Sequence, residues 1–326
     1  MTPTAETNGF PNDPRGVAGV TPTAETNGFP NDPRGVAGVT RPAGPGAGLS
    51  AGTGLEAALR AHISSWPGEA ACGVVGPSGT LAASGPAEQP FAWASVTKLL
   101  VALAVLVASE EGTLGLDEPA GPEGSTVAHL MAHASGLPFE GTSPLSPPGR
   151  RRVYSNTGTE ALAAHLEFRT AMSFEQYLRE GVLGPLGINR TTLAGSPAHG
   201  ARGPLSDLLL LAKELLAPSL VGESTWKTAT SVAFPGLAGV LPGFGRYEPC
   251  DWGLGPELRD NKSPHWTGTR NSPSTYGHFG QSGSFVWADP EAGVALAGLS
   301  SEPFGPWAKQ AWPAVSDAVL AFAGAG

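Results

Sequence analysis

Only two cysteines, Cys72 and Cys250, occur in the chain of 326 residues. They are too few for a disulfide framework and lack the spacing of metal ligands, so both are expected to be buried or incidental free thiols. Charge is also sparse, at 14% of residues, and acidic side chains outnumber basic ones by 28 to 19, giving a formal net charge of −9. That balance argues against nucleic acid as a partner, because a basic surface supplies most non-specific affinity for it. The longest apolar run, Leu99 to Ala108, falls well short of the ~20 residues that span a bilayer. Met1 to Val20 is polar and rich in Pro and Gly. It has no apolar region of a secretory signal, so a cytoplasmic location is expected.

What the chain does have is apolar residues, at 40%, together with 46 glycines and 32 prolines. That is enough to bury a sizeable core in one large domain or two lobes, with many loops or an unfolded segment. Thr2 to Val20 recurs without change at Thr21 to Val39. The repeat has no apolar periodicity, so it cannot stack as a solenoid. With the Gly/Pro/Ala-rich stretch that follows, residues 1–54 read as a disordered leader. Folded sequence is expected from about Leu55, starting with a short amphipathic helix that ends before Pro67.

Ala71 to Val75 and Thr80 to Ser84 flank Gly76-Pro77-Ser78-Gly79 and read as a hairpin. A helix from about Ser95 to Glu110 is apolar nearly all round and therefore buried, with Gly112 placed to end it. Phe174 to Gly181 and Leu205 to Leu216 are the clearest helices of the middle section. Tyr276 to Phe279, Ser284 to Ala288 and Val294 to Leu299 read as strands, and Pro306 to Phe322 as a closing helix. The pattern implies an α+β fold. An α/β lobe with an antiparallel sheet comes from about 55–118 and 241–326, and a helical lobe from about 119–240.

Ser95-Val96-Thr97-Lys98 sets a hydroxyl and an amine on one helix face. At a first helical turn the dipole favours negative charge developing on the serine oxygen. A lysine beside a buried hydroxyl can assist its deprotonation if the amine's own charge is tuned by its surroundings. Three further patterns accompany it: Thr126 to Pro138 (TVAHLMAHASGLP), Tyr154-Ser155-Asn156, and His278-Phe279-Gly280-Gln281-Ser282-Gly283 in the late strand region.

In order and approximate spacing, these four motifs resemble the β-lactamase-related serine hydrolases: class C β-lactamases, D-Ala-D-Ala carboxypeptidases and esterases of that fold. The resemblance covers roughly Leu55 to the C-terminus. It implies a β-lactamase/transpeptidase-like fold with Ser95 as nucleophile between the lobes. Tyr154 would be general base, its phenol made more acidic by Lys98, and would later protonate the leaving group. The division of labour between Lys98 and Tyr154 stays open. Asn156 would bind the acyl side of the substrate. The backbone N–H groups of Ser95 and Gln281 would form the oxyanion hole, and Gly280 would let the substrate lie close to the strand. The substrate would be a small ester, amide or lactam, with no metal or organic cofactor.

Three departures from the best-known members stand out. His278 replaces a lysine, which weighs against recognition of a β-lactam or peptide carboxylate. With an ordinary pKa it would be mostly neutral at pH 7 and gain charge toward pH 6. Phe168 to Phe174 lacks a Thr-Gly before its Ser-Phe helix start, and Arg259 to Thr275 adds loop sequence; both are expected to affect loops alone. Ester hydrolysis is therefore the first reading and β-lactamase or D-Ala-D-Ala carboxypeptidase activity the second. A catalytically silent ligand-binding member is the third, which an intact Ser95, Lys98 and Tyr154 argue against.

Other patterns carry less. Gly48-Leu49-Ser50-Ala51-Gly52 matches the G-x-S-x-G elbow but lies in low-complexity sequence. His129 and His133 have the spacing of a helical zinc pair, yet no glutamate follows His129, and a structural role is expected. Trp93 reads as core and Arg270 as a solvated loop charge.

Overall fold

The computed structural model describes residues 47–324, with side chains from Thr53 onward. The tandem repeat and most of the expected leader lie outside the described residues. In chain order the helices are α1 (Ala47–Ile63), α2 (Thr97–Glu110), α3 (Val127–Met131), α4 (Asn156–Thr170), α5 (Phe174–Leu178), α6 (Leu205–Leu216), α7 (Glu223–Ala229) and α8 (Pro306–Ala323). The strands are β1 (Ala70–Gly76), β2 (Gly79–Ser84), β3 (Phe91–Ala92), β4 (Thr192–Leu193), β5 (Ala201–Gly203), β6 (Gly239–Leu241), β7 (Gly245–Tyr247), β8 (Glu257–Leu258), β9 (Tyr276–Gly280), β10 (Ser284–Asp289) and β11 (Val294–Ser300). Because α1 begins at Ala47 rather than near Leu55, Gly48 to Gly52 lies inside a helix. It lacks the strand–turn–helix setting that a nucleophile elbow requires.

The main sheet has six antiparallel strands in the order β2-β1-β11-β10-β9-β8. Every residue of β1, β9, β10 and β11 is buried. Such strands need cover on both faces, and their period of two sorts the side chains between two cores. Cys72, Val74, Phe285, Trp287 and Leu296 join α1 and α8 in one core, with Trp312 and Trp266. Ala71, Val75, Val286, Ala295 and Leu299 join α2, α4, α5 and α6 in the other. Both cysteines are buried and free.

The segment expected to form a helical lobe does not stay apart. Its helix α6 packs across β1, β10 and β11. Gly73 permits the approach: a Cβ there would lie 2.9 Å from Leu209 Cδ1. Helix α2 is buried from Thr97 to Ala108 and runs through this second core. It starts two residues later than the periodicity suggests, because Ala94–Val96 forms a separate tight turn. Gly112 follows its end with a φ of +74°. The short strands β3 to β8, of two or three residues, carry no periodic signal in the sequence. No helix among the described residues is long and apolar enough to cross a membrane.

Gly73→Val should lower stability by about 1–3 kcal/mol, the usual cost of overpacking a filled core. The expected observation is a lower urea midpoint with an unchanged slope.

Candidate active site

Four interactions fix the turn that presents Ser95. The Trp93 backbone N–H donates to Ala201 O (2.9 Å) and the Trp93 indole to Gly203 O (3.1 Å). Thr97 Oγ1 donates to Ala94 O (2.6 Å) and accepts from the Ala201 N–H (3.0 Å). Ala94, just before the serine, is held at φ +43°, a left-handed conformation that a non-glycine residue adopts only under tertiary constraint. From the other side the β9–β10 turn closes on the same backbone, with Ser284 Oγ donating to Trp93 O (2.7 Å) and Ser282 Oγ to Ala92 O (2.7 Å). A Cβ on Gly280 would lie 2.5 Å from Trp93 O and 2.4 Å from Ser284 Oγ. Gly280, expected to make room for substrate, makes room for the turn that carries Ser95.

Lys98, on the first turn of α2, is buried among polar acceptors. Its Nζ lies 2.7 Å from Asn156 Oδ1, 2.9 Å from Ala198 O and 3.2 Å from Ser95 Oγ. Burial brings its pKa down from 10.5 to about 7, against a small opposing pull from Glu160. A neutral amine has two N–H donors and one lone pair. Asn156 Oδ1 and Ala198 O take the two donors, which leaves the lone pair for Ser95. Asn156, the first residue of α4, commits its amide oxygen to Lys98; the expected contact with the acyl side of a substrate would use its amide nitrogen. Ser155 caps the same helix, accepting from the Gly158 N–H at 2.8 Å.

Tyr154 sits in a cage of rings, with centroids 4.7 Å from His133, 5.8 Å from Trp252, 5.8 Å from His278 and 6.0 Å from Phe139. Lys98 Nζ lies 4.9 Å from its ring centroid. Burial pushes the phenol well above its usual range, and the hydrogen bond with Ser95 only partly offsets this. The expected acidification by Lys98 does not outweigh burial, which raises the phenol and also brings the amine down to about 7, leaving it only partly charged near neutrality.

His278 is also altered from expectation. Burial first, then Lys98, brings its pKa down to about 3, although its hydrogen bond to the Phe279 carbonyl opposes the shift. That bond (2.7 Å) makes Nδ1 the protonated nitrogen, so Nε2, 3.5 Å from Tyr154 Oη, is an acceptor. The imidazole stays neutral at pH 6 and turns its lone pair toward Tyr154.

Ser95, Tyr154, His278 and Gln281 meet in a pocket of about 500 Å³, with Phe139, Leu241, Pro242, Trp252, Glu257 and Phe279 completing its walls. Trp93 is fully buried core, and Arg270 is exposed and does not line the pocket. His129 and His133 do not converge. His129 Nδ1 pairs with Thr126 Oγ1 at 2.8 Å, whereas His133 Nδ1 accepts from the Ser155 N–H at 3.3 Å. No cluster able to hold a metal occurs among the described residues.

The β-lactamase family model matches residues 74–320. The chain belongs to the β-lactamase family. It is 51% identical to a β-lactamase from Mycobacterium bovis, over 80% of this chain and 97% of that one, with a TM-score of 0.79. EstCE1, a hydrolase with promiscuous acyltransferase activity, shares the fold at 17% identity, with 84% of this chain and 99% of that one covered and a TM-score of 0.67. Penicillin-binding protein 4* of Bacillus subtilis is 29% identical over 31% of this chain and 30% of its own length.

Within this β-lactamase family domain, the loop from Arg259 to Thr275 is not peripheral. It folds under the pocket and carries Lys262, His265 and Trp266 to Glu257, all buried. Glu257 lies 2.7 Å from Lys262 Nζ and 2.9 Å from both His265 Nε2 and Trp266 Nε1. Sequence reading missed this cluster, since nothing in the loop's polar composition marks it as core. Trp252 was missed too, whereas Phe139 could have been found, because it directly follows the SGLP stretch. Arg152 was also overlooked. It is buried and donates to Cys250 O (3.0 Å) and Ala233 O (2.9 Å), tying the segment before Tyr154 to two loops.

Burial alone would raise the pKa of Glu257, but His265 and Lys262 outweigh it and hold it at about 2, against an ordinary 4.5. A carboxylate so depressed stabilises the fold above its unfolded pKa, and that contribution is lost as pH falls from about 4.5 toward 2. Urea unfolding across this window should therefore show stability dropping with pH, and Glu257→Gln should flatten the slope. An unchanged slope in the variant would assign the acid sensitivity elsewhere.

Proposed function

We propose that this β-lactamase family member cleaves small esters that carry no charge beside the scissile bond, through an acyl-enzyme on Ser95, with Lys98 rather than Tyr154 taking the serine's proton. One observation carries the reading: the desolvated Lys98 amine has both N–H donors occupied and its remaining position 3.2 Å from Ser95 Oγ. A base with a pKa near the working pH is the efficient kind. As Ser95 Oγ bonds to the carbonyl carbon, its proton passes to Nζ and the carbonyl oxygen gains charge between the backbone N–H groups of Ser95 and Gln281. Collapse breaks the bond to the leaving oxygen, which receives the Tyr154 proton, and Lys98 then returns a proton to the phenolate. Water repeats the sequence and frees the acid. Amine with phenol and ammonium with phenolate are two placements of one proton, and burial favours the uncharged pair.

The preference for esters uncharged beside the scissile bond rests on His278. Penicillins and C-terminal D-alanine peptides carry a carboxylate close to the scissile bond. A charge-assisted hydrogen bond to it would be roughly twice as strong as a neutral one, and the buried neutral imidazole offers no charge. β-Lactam hydrolysis is the second reading, favoured by the 51% identity to the Mycobacterium bovis β-lactamase.

A panel of p-nitrophenyl acetate, p-nitrophenyl butyrate, nitrocefin and a D-Ala-D-Ala peptide separates the two. The esters should have the higher kcat/KM, and Ser95→Ala should abolish both turnover and labelling by a fluorophosphonate probe. Nitrocefin turnover equal to that of the esters would decide for the β-lactamase reading.

The pH profile provides a second test. Activity needs neutral Lys98, so ester kcat/KM should rise with pH through about 7 and level off above it. Because His278 titrates near 3, the ratio of ester to nitrocefin rates should not change between pH 6 and 8. A ratio that shifts toward nitrocefin at pH 6 would mean that the imidazole gains charge there.

A further inference from the structure

We propose that the groove on the outer side of Tyr154 is a second subsite, which holds an anionic group carried at the far end of an apolar chain on the substrate. The proposal rests on the ester-hydrolase reading of Ser95 and adds the substrate class. The groove, of about 870 Å³, adjoins the catalytic pocket, since Phe139, Tyr154 and Pro242 line both.

Two independent features define what it would accept. The first is apolar. Of the seven large hydrophobic side chains exposed among the described residues, three line this groove: Phe139 at 50%, Leu145 at 58% and Val240 at 55% exposure. Clustering of that kind next to a reactive serine is a contact surface, whereas scattered exposed apolar residues need no explanation. The second is charge. Arg151 and Arg246, both exposed, line the groove without an acidic side chain among its walls, in a chain whose net charge is −9.

The third arginine in the groove wall is not available, because the buried Arg152 guanidinium is taken up by backbone carbonyls. Arg151 uses one of its five donors on Leu145 O (2.8 Å), which turns it along the groove. Arg246 meets Glu248 at 2.9 Å, but both are about two-thirds exposed, and such a pair is weak enough to exchange for a ligand carboxylate. Guanidinium forks suit a planar carboxylate. The resulting pattern is the reverse of β-lactam recognition: no cation stands beside the scissile bond at His278, and two stand at the far end of an apolar path.

The test compares suberate monoamide with octanamide, ligands matched in chain length that differ in a terminal carboxylate. Calorimetric titration at low ionic strength should show the carboxylate ligand binding about three- to tenfold more tightly, as expected of partly exposed charge pairs. The advantage should vanish in the double variant R151Q/R246Q and shrink in the wild type at high salt. Equal binding of the two ligands, or an advantage that survives in the double variant, overturns the proposal. Turnover of p-nitrophenyl butyrate and its loss in Ser95→Ala judge the hydrolase reading on a separate readout, so the two can fail independently.

Discussion

The site depends on one desolvated amine. Lys98 occupies the first turn of a helix that is apolar along most of its length, and the same burial that makes α2 a core element keeps water from the Nζ. Out of water an ammonium is costly, so the group tends toward its neutral form, and its neighbours then determine what the lone pair faces. Asn156 and the Ala198 carbonyl come from distant points in the chain and converge on it only because the middle segment packs against α2. The second core is therefore also the means by which the lysine is tuned.

The same solvent exclusion acts on Tyr154 and His278 with opposite chemical results. Both stay uncharged, the phenol because its anion is penalised and the imidazole because its cation is. Once Nδ1 is committed to the Phe279 carbonyl, His278 can only accept. The phenol and the imidazole therefore rest uncharged beside Ser95, and Lys98, brought down to about 7, is the group of the three that titrates near neutrality. A buried charge does stand nearby at Glu257, but the Lys262 ammonium pairs with it and the His265 and Trp266 rings donate to it.

Much of the scaffold was legible in the sequence because it depends on periodicity. The late strands, the β1–β2 hairpin, α6 and α8 all follow spacing that the side chains declare, and Ser95, Lys98, Tyr154 and His278 were found from three of the four short motifs. Their electrostatic states were not legible. The acidity of Tyr154 and the charge of His278 depend on packing from Trp252, Phe139 and His133, none of which adjoins them in the chain. The loop that holds Lys262 and His265 reads as polar and solvated, and only the location of Glu257 turns it into core. Position 280 shows the limit of motif reading in another way. The glycine was recognised, but the atoms it makes room for belong to the protein.

The tie between the β9–β10 turn and the backbone before Ser95 also bears on how such an enzyme can diverge. Ser282 and Ser284 hold the turn before Ser95 through hydroxyls on its main-chain carbonyls, and Gly280 makes room for it, so changes there would displace Ser95 whatever the substrate. Phe139, Leu145, Val240 and Pro242 come from loops and a short strand that take no part in that grip. Substitutions at those positions would therefore reshape what enters the pocket and leave the turn before Ser95 in place. The hold on that turn and the lining of the groove are carried by two nearly separate sets of residues.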